Sequence, residues 1–160
     1  MNVTPSERLE ALAEGRNPQL ILRLPSGFAV MADNQYLPGY CLLLAYPQAD
    51  QLSELSEKQR VLFLEDMATL GEAVQLVTEC KRVNYGIYGN VDPFLHAHVW
   101  PRYEWEVPEL ITLPPLAFPE EIKRHIDTWY DPDIHFDTQE RLRMALLSIL
   151  ERRGHIEVLP

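Results

Sequence analysis

The chain has 160 residues, 46% of them hydrophobic, which suits one globular domain with one apolar core. Acidic residues outnumber basic ones by 24 to 14, and the net charge of −10 excludes a protein that binds nucleic acid or anionic membranes through a basic surface. No apolar run approaches the roughly 18 residues of a membrane span, and two cysteines without a recognisable signal peptide indicate a soluble protein of the reducing cytoplasm.

The first third of the sequence predicts a short helix and three strands. Thr4, Pro5 and Glu7 form the capping pattern of a helix that runs to about Ala13. Segments rich in β-formers follow on both sides of a turn at 25–27, which predicts a hairpin. These segments are Gln19 to Leu24 and Phe28 to Ala32, and a third strand is expected from Tyr40 to Tyr46.

The middle of the sequence predicts one long helix. Ser56 is its expected N-cap, and the helix is expected to run to about Lys81. Its apolar residues recur every three or four positions, which predicts one buried stripe. The residues of this stripe are Val61, Leu64, Met67, Leu70, Val74 and Val77.

The rest of the sequence predicts two more strands, followed by helices. The strands are expected at Val83 to Tyr88 and at Phe94 to Tyr103, with a turn-rich loop between them. A helix is expected from about Pro119 to Trp129, and Asp137 is the expected cap of a last helix that stops at Gly154. The residues expected to face inward on the last helix are Leu142, Leu146 and Ile149.

Two histidines on the predicted fifth strand are the main candidates for a functional site. Residues two apart on a strand share a face, so His96 and His98 point to the same side, together with Phe94 and Trp100. The residues expected to meet the core on the other face are Leu95, Ala97 and Val99. Paired imidazoles of this kind suit nucleophilic catalysis or metal binding, and they also occur as purely structural pairs.

A metal site at this pair requires at least one further ligand. His125, His135 and His155 are candidates, but none stands at a spacing that indicates ligation. We interpret His125 and His155 as surface residues.

The segment around the histidine pair resembles the histidine-triad family, whose motif is His-φ-His-φ-His-φ-φ, with φ apolar, often followed by Pro-Arg. Residues 94–102 read FLHAHVWPR, which matches this motif except that Phe94 stands at the first histidine. Upstream, Pro38-Gly39-Tyr40 is similar to the Pro-Gly-His of the family, with Tyr40 in place of the histidine. The resemblance covers roughly Phe28 to Arg102.

The resemblance implies a histidine-triad-like α+β fold. In this fold an antiparallel sheet of about five strands packs against one long helix, and extra C-terminal helices follow. We expect residues 1–160 to form one domain, with 104–160 as a C-terminal helical extension of the same domain. Family members usually dimerise through the long helix and a strand edge, so a homodimer is expected.

The resemblance also implies a metal-independent nucleotide hydrolase or transferase that acts at an α-phosphate without a cofactor. His96, the middle histidine, is expected to form a nucleotidyl-imidazole, and His98 is expected to bind a phosphate oxygen. The expected substrates are dinucleoside polyphosphates or nucleoside phosphoramidates. The expected substrate-binding residues are Asn84 and Asn90 for the phosphates or the leaving group, Asp33 and Asn34 for the ribose hydroxyls, and Tyr40 beside the histidines.

Two alternatives stay open. The departures at Phe94 and Tyr40 suit a nucleotide-binding protein with little or no catalysis. The His-x-His pair also suits a metal-dependent enzyme. Of the neighbouring residues, we interpret Arg102 as a surface cation and Trp100 as part of the core.

Overall fold

The computed structural model describes residues 3–154. The strands are β1 (Leu20–Leu24), β2 (Gly27–Met31), β3 (Cys41–Ala45), β4 (Arg82–Ile87) and β5 (His96–Arg102). The α-helices are α1 (Pro5–Ala13), α2 (Glu57–Thr78), α3 (Pro108–Ile111), α4 (Glu120–Lys123) and α5 (Pro132–Arg152), and short 3₁₀ turns occur at Leu52–Glu54, Pro115–Ala117 and Ile126–Thr128. No helix within the described residues is both long and apolar enough to cross a membrane.

The five strands form one sheet in the order β1-β2-β3-β5-β4. Every neighbouring pair is antiparallel. The predicted α+β fold, with an antiparallel sheet of about five strands and one long helix, is therefore confirmed. β5 lies between β3 and β4, so the predicted site is near the middle of the sheet rather than at an edge.

One face of the sheet carries the main apolar core. Leu95, Ala97 and Val99 are fully buried there, as predicted, in a cluster that includes residues of α2 and α5. Burying an aliphatic side chain of this size stabilises the fold by about 1.5–3 kcal/mol. This alternation fixes which face of β5 the two histidines share.

The long helix α2 begins where the sequence predicts. The hydroxyl of Ser56 accepts a hydrogen bond from the backbone of Gln59, whose side chain accepts one from the backbone of Ser56. The predicted buried stripe is wrong at this end, because Val61 is 58% exposed and Leu64 is 37% exposed. Phe63 is buried instead. Successive helical residues are 100° apart, so burial of Phe63 turns Val61 outward.

Beyond β5, residues 104–131 cross the sheet on the face opposite α2, and we call them the crossing segment. The predicted helix from Pro119 to Trp129 is wrong, because only α4 and a 3₁₀ turn form there. The backbone of Gln35 donates to the carbonyl of Thr128 (2.6 Å), and Asn34 forms a β-bridge with Trp129. These tertiary hydrogen bonds hold the chain extended where local propensity favours a helix.

The last helix, α5, packs on the same side of the sheet as α2. Its N-cap is Asp131, so the predicted start at Asp137 is wrong by more than a turn. The three residues predicted to face inward, Leu142, Leu146 and Ile149, are buried. Gln139 donates to the carbonyls of Pro18 and Leu20, each at 2.8 Å, and these contacts cover the outer edge of β1.

Candidate active site

Strand pairing sets the surroundings of the two histidines. His96 pairs with Leu44 on β3, and His98 pairs with Leu42 on β3 and with Gly86 on β4. Directly paired residues of an antiparallel sheet lie on the same face. The histidines therefore stand on the face opposite α2, which the crossing segment partly covers.

His96 is held by the main chain just before β5. Its Nδ1 lies 2.8 Å from the carbonyl oxygen of Phe94. Because a carbonyl only accepts hydrogen bonds, Nδ1 must carry the proton, and Nε2 is left with a lone pair when the ring is neutral. The residue is 7% exposed, and its ring centroid lies 4.9 Å from the centroids of both Phe94 and His98.

His98 is fixed by a phenol and an indole. Its Nδ1 lies 2.6 Å from the hydroxyl of Tyr40. Its ring stacks on Trp100 with centroids 4.7 Å apart and planes within 5° of each other. Burial, together with the neighbouring His96, lowers the pKa of His98 to about 4, so the ring is neutral at pH 7.

Tyr40 determines which tautomer of His98 is present. Burial raises the pKa of the Tyr40 hydroxyl above its usual range, so the phenol stays protonated. The phenol therefore donates to Nδ1 of His98, and the proton of His98 lies on Nε2. Tyr40 is itself held by its own packing, with its ring 5.3 Å from that of Trp100 and 5.7 Å from that of Tyr36.

Asn84 stands on β4 opposite Trp100 and bonds to Arg102. The Oδ1 of Asn84 accepts a hydrogen bond from Nη1 of Arg102 at 2.9 Å, which leaves the Nδ2 hydrogens free to donate.

The interpretation of Arg102 as a surface cation is wrong, since the residue is 8% exposed. Its guanidinium pairs with Glu106 at 2.8 Å and donates to main-chain carbonyls of the crossing segment. Trp100 is buried in the core, as predicted.

The remaining predicted site residues, Asp33, Asn34 and Asn90, lie in turns outside the strands that carry the histidines. Asp33 and Asn34 follow β2, where Asp33 accepts a hydrogen bond from the Gln19 side chain at 2.8 Å. The Asn34 side chain accepts from the hydroxyl of Thr128, also at 2.8 Å. Asn90 is exposed in the loop before β5. The structure thus brings Tyr40, His96 and His98 into one contiguous group and places Asn84 on the adjacent strand.

Sequence reasoning missed Gly86 and Tyr88. Gly86 lies opposite His98, and a Cβ added there would come within 2.4 Å of the Tyr88 ring. The Tyr88 ring, 53% exposed, lies across this gap with its centroid 5.9 Å from that of His98. A glycine inside a strand signals such a close approach, but only the strand register shows that it faces His98.

A metal site at the histidine pair has no third ligand in the described part of the chain. Within residues 3–154, no group of three or more His, Cys, Asp or Glu side chains is arranged to hold a metal ion. His125 is exposed beside Asp127, and His135 contacts the backbone of Asp131. His155 lies outside the described residues. A metal at His96 and His98 would need a ligand from elsewhere.

The chain has the fold of the histidine-triad proteins. A histidine triad (HIT) protein from Sinorhizobium meliloti is similar with a TM-score of 0.67 and 17% identity, over 79% of this chain and 87% of that chain. A hypothetical histidine triad nucleotide-binding protein from Sulfolobus tokodaii has a TM-score of 0.67 and 10% identity, over 89% and 92%. A Zn-bound histidine triad family protein from Mycobacterium smegmatis has a TM-score of 0.63 and 17% identity, over 89% and 94%. No family model and no curated protein matches the sequence.

Proposed function

We propose that the chain is a metal-independent nucleotide hydrolase or transferase that attacks an α-phosphate through Nε2 of His96. The observation that carries this proposal is the 2.8 Å contact between His96 Nδ1 and the carbonyl of Phe94. It keeps the proton on Nδ1 and leaves the lone pair on Nε2. A neutral imidazole oriented in this way is a good nucleophile near pH 7.

The proposed reaction has two steps. In the first, a bond forms between His96 Nε2 and the α-phosphorus while the bond to the leaving group breaks. The electron pair goes to the oxygen of a departing phosphate or, in a phosphoramidate, to the amine, which takes a proton from solvent. The ring then carries positive charge, which the Phe94 carbonyl stabilises by accepting a hydrogen bond from Nδ1, and His98 donates a hydrogen bond from Nε2 to a non-bridging phosphate oxygen without losing its proton. In the second step the oxygen of water bonds to phosphorus, the electron pair of the P–N bond returns to Nε2, and one proton of the water passes to solvent, which releases a nucleoside monophosphate and restores neutral His96.

The other residues of the proposed site have supporting roles. Asn84 donates to a phosphate oxygen through Nδ2, since its Oδ1 already accepts from Arg102. Asn90 is proposed to contact the phosphates or the leaving group, and Asp33 and Asn34 the ribose hydroxyls. Tyr40 holds the tautomer of His98. The proposed substrates are dinucleoside polyphosphates or nucleoside phosphoramidates, and no cofactor takes part.

A nucleotide-binding protein without catalysis is the second candidate. The observation that favours it is the side chain of Phe94, which we propose stands at the first histidine of the family motif. This ring is buried in an apolar cluster with residues of α1 and β2, and it offers no hydrogen bond to His96. On this reading the site binds nucleotide and never forms a bond from His96 to phosphorus.

We further propose that the chain acts in the cytoplasm as a homodimer of one-domain subunits, each with residues 104–160 as an extension of that domain. Within residues 3–154, β4 pairs only with β5, so the outer edge of β4 can accept another strand. Val61, Leu64 and Leu76 leave an apolar surface on α2 that a second copy would cover.

Product analysis tests the proposed function. Chelator-treated protein is incubated with diadenosine tetraphosphate and with adenosine 5′-phosphoramidate, and the products are separated by chromatography. We expect AMP from the wild-type protein and at least about 1,000-fold less from His96→Ala, because the nucleophile is removed. Nucleotide binding without AMP release favours the binding protein, and activity restored only by zinc favours the metal-dependent enzyme.

A further inference from the structure

A pocket with a volume of about 580 Å³ lies between β4 and the crossing segment. Lys81, Arg82 and Asn84 line it on the side of β4, and Ile111 and Leu113 line it on the side of the crossing segment. Its volume is in the range of sites for small molecules. One wall therefore offers hydrogen-bond donors, and the opposite wall offers mostly apolar surface.

This pocket is separate from the histidine pair. Arg82 pairs with Arg102 of β5, six residues from His96, which corresponds to about 20 Å along a strand. The buried ring of Trp100 lies on the same face between the two positions. A small ligand anchored at Arg82 therefore does not contact Nε2 of His96.

The polar wall carries positive charge that other side chains do not neutralise. Arg82 is exposed and has no hydrogen bond or ion pair from its side chain within residues 3–154. Lys81 lies 3.8 Å from Glu104, and both side chains are largely exposed. Among the described residues that line the pocket, none is acidic. This wall is therefore complementary to an anion, and a free guanidinium suits a carboxylate or phosphate group.

The buried side chain of Arg102 holds the two walls together. Its Nη1 donates to Oδ1 of Asn84 at 2.9 Å and to the carbonyl of Leu113 at 2.7 Å. Its Nη2 donates to Glu106 at 2.8 Å and to the carbonyl of Leu110 at 3.0 Å. Because these contacts occupy the guanidinium of Arg102, this residue fixes the shape of the pocket but is not free to bind a ligand. A preformed pocket loses little entropy when it binds a ligand.

We infer that this pocket is a second ligand site, separate from the histidine pair, for a small organic anion with a phosphate or carboxylate head and an apolar body. The head binds Arg82 and Lys81, and the body packs against Ile111 and Leu113. The inference does not depend on the proposed function, because it invokes neither a nucleotide nor a reaction at His96.

A ligand that contacts both walls stabilises the position of the crossing segment on the sheet. Leu110 and Leu113 pack in one apolar cluster with Tyr40 and Trp100. The amides of Leu110 and Leu113 donate to the carbonyls of Val107 and Leu110. Binding to the folded segment adds to the free energy that opposes its opening, so these amides should exchange their hydrogens more slowly in the complex.

Calorimetry with two organic probes tests the site and identifies its preferred head group. The full-length protein is titrated at low ionic strength with phenyl phosphate and with benzoate, and inorganic phosphate serves as a probe without an apolar body. We expect at least one organic probe to bind, and Arg82→Ala to weaken its binding at least about fivefold. Tighter binding of phenyl phosphate indicates a phosphate head, and tighter binding of benzoate indicates a carboxylate head.

The matched control is Arg60→Ala on α2, another arginine without a side-chain partner in residues 3–154, and it should bind like the wild-type protein. Equal binding by Arg82→Ala and Arg60→Ala overturns the inference, and so does a wild-type protein that binds neither organic probe. Inorganic phosphate that binds as tightly as the organic probes refutes the role of the apolar wall.

Two further measurements establish where the probe binds. His98→Asn should bind the preferred probe with wild-type affinity, because the pocket is separate from the histidines. The probe should slow amide exchange at residues 110–113 in the wild-type protein but not in Arg82→Ala. Loss of binding in a folded His98→Asn protein would place the probe at the histidines and overturn the inference. Unchanged exchange at residues 110–113 would show that the ligand does not contact the crossing segment, which also overturns it.

Discussion

At the scale of single residues, the two histidines are held in opposite tautomers. The Phe94 carbonyl keeps the His96 proton on Nδ1, and the Tyr40 phenol places the His98 proton on Nε2. The two Nε2 atoms thus have complementary properties, because one carries a lone pair and the other a proton. This arrangement, a lone pair beside a hydrogen-bond donor, suits the attack on a phosphate group that we propose.

The pKa of His98 makes the fold sensitive to acid. An unfolded chain takes up a proton at His98 below about pH 6.5, whereas the folded protein does so only near pH 4. The contribution of neutral His98 to the free energy of unfolding is therefore complete above pH 6.5 and is lost as the pH falls toward 4, by at most about 3 kcal/mol.

NMR titration of the imidazole protons measures this pKa directly. We expect the His98 resonances to stay constant from pH 8 to pH 5. Urea unfolding at pH 7 and pH 4.5 should show a smaller loss of stability in His98→Asn than in the wild-type protein. A His98 midpoint near pH 6.5 would contradict the burial and contacts described above.

The Tyr40 hydroxyl is expected to affect turnover more than binding. Tyr40→Phe keeps the ring between Tyr36 and Trp100 but removes the donor to His98. We expect kcat to fall by up to about tenfold with little change in KM, since the loss of one hydrogen bond costs about 1 kcal/mol. Tyr36→Phe is the matched control, because its hydroxyl makes a long 3.5 Å contact with a carbonyl and, among the described residues, no hydrogen bond to His98. Equal effects of the two variants would show that the phenol of Tyr40 has no special role.

At the scale of secondary structure elements, β4 shapes the site because Gly86 has no side chain. Gly86 leaves room for the Tyr88 ring beside His98. Gly86→Ala should therefore displace Tyr88 and reduce activity, while the same substitution in a Tyr88→Ala background should cost much less. A double-mutant cycle on kcat/KM measures this coupling, which we expect to exceed about 0.5 kcal/mol. Additive effects would mean that the glycine matters only to the strand itself.

The elements predicted best from the sequence are those whose apolar residues can be buried on only one face. On β5, small apolar residues alternate with the histidines, so only one face could be buried, and the prediction is confirmed. On α2, two apolar rows compete over the first turns, and the packing of Phe63 decides between them. The segment from Pro119 to Trp129 has local helix signals, but its backbone bonds to the turn after β2, a partner that no local pattern reveals.

At the scale of the whole molecule, residues 104–152 contribute to both faces of the sheet. The crossing segment contributes Leu110, Leu113 and Phe118 to the apolar cluster around Tyr40 and Trp100. α5 then packs with α2 on the other face. This part of the chain therefore builds both the cover over Tyr40 and Trp100 and part of the main core. Its course depends on contacts distant in sequence, such as Arg102 with Glu106 and the main chain, and for this reason sequence patterns predicted its helices only in part.

The proposed reaction passes through one covalent bond, between Nε2 of His96 and phosphorus. We would mix wild-type protein with diadenosine tetraphosphate, quench the mixture within one turnover under conditions that preserve phosphoramidate bonds, and measure the intact and peptide masses. We predict a single nucleotidyl adduct on the peptide that contains His96, with none in His96→Ala and a reduced amount in His98→Asn. AMP release without any adduct, or undiminished release by His96→Ala, would contradict the account.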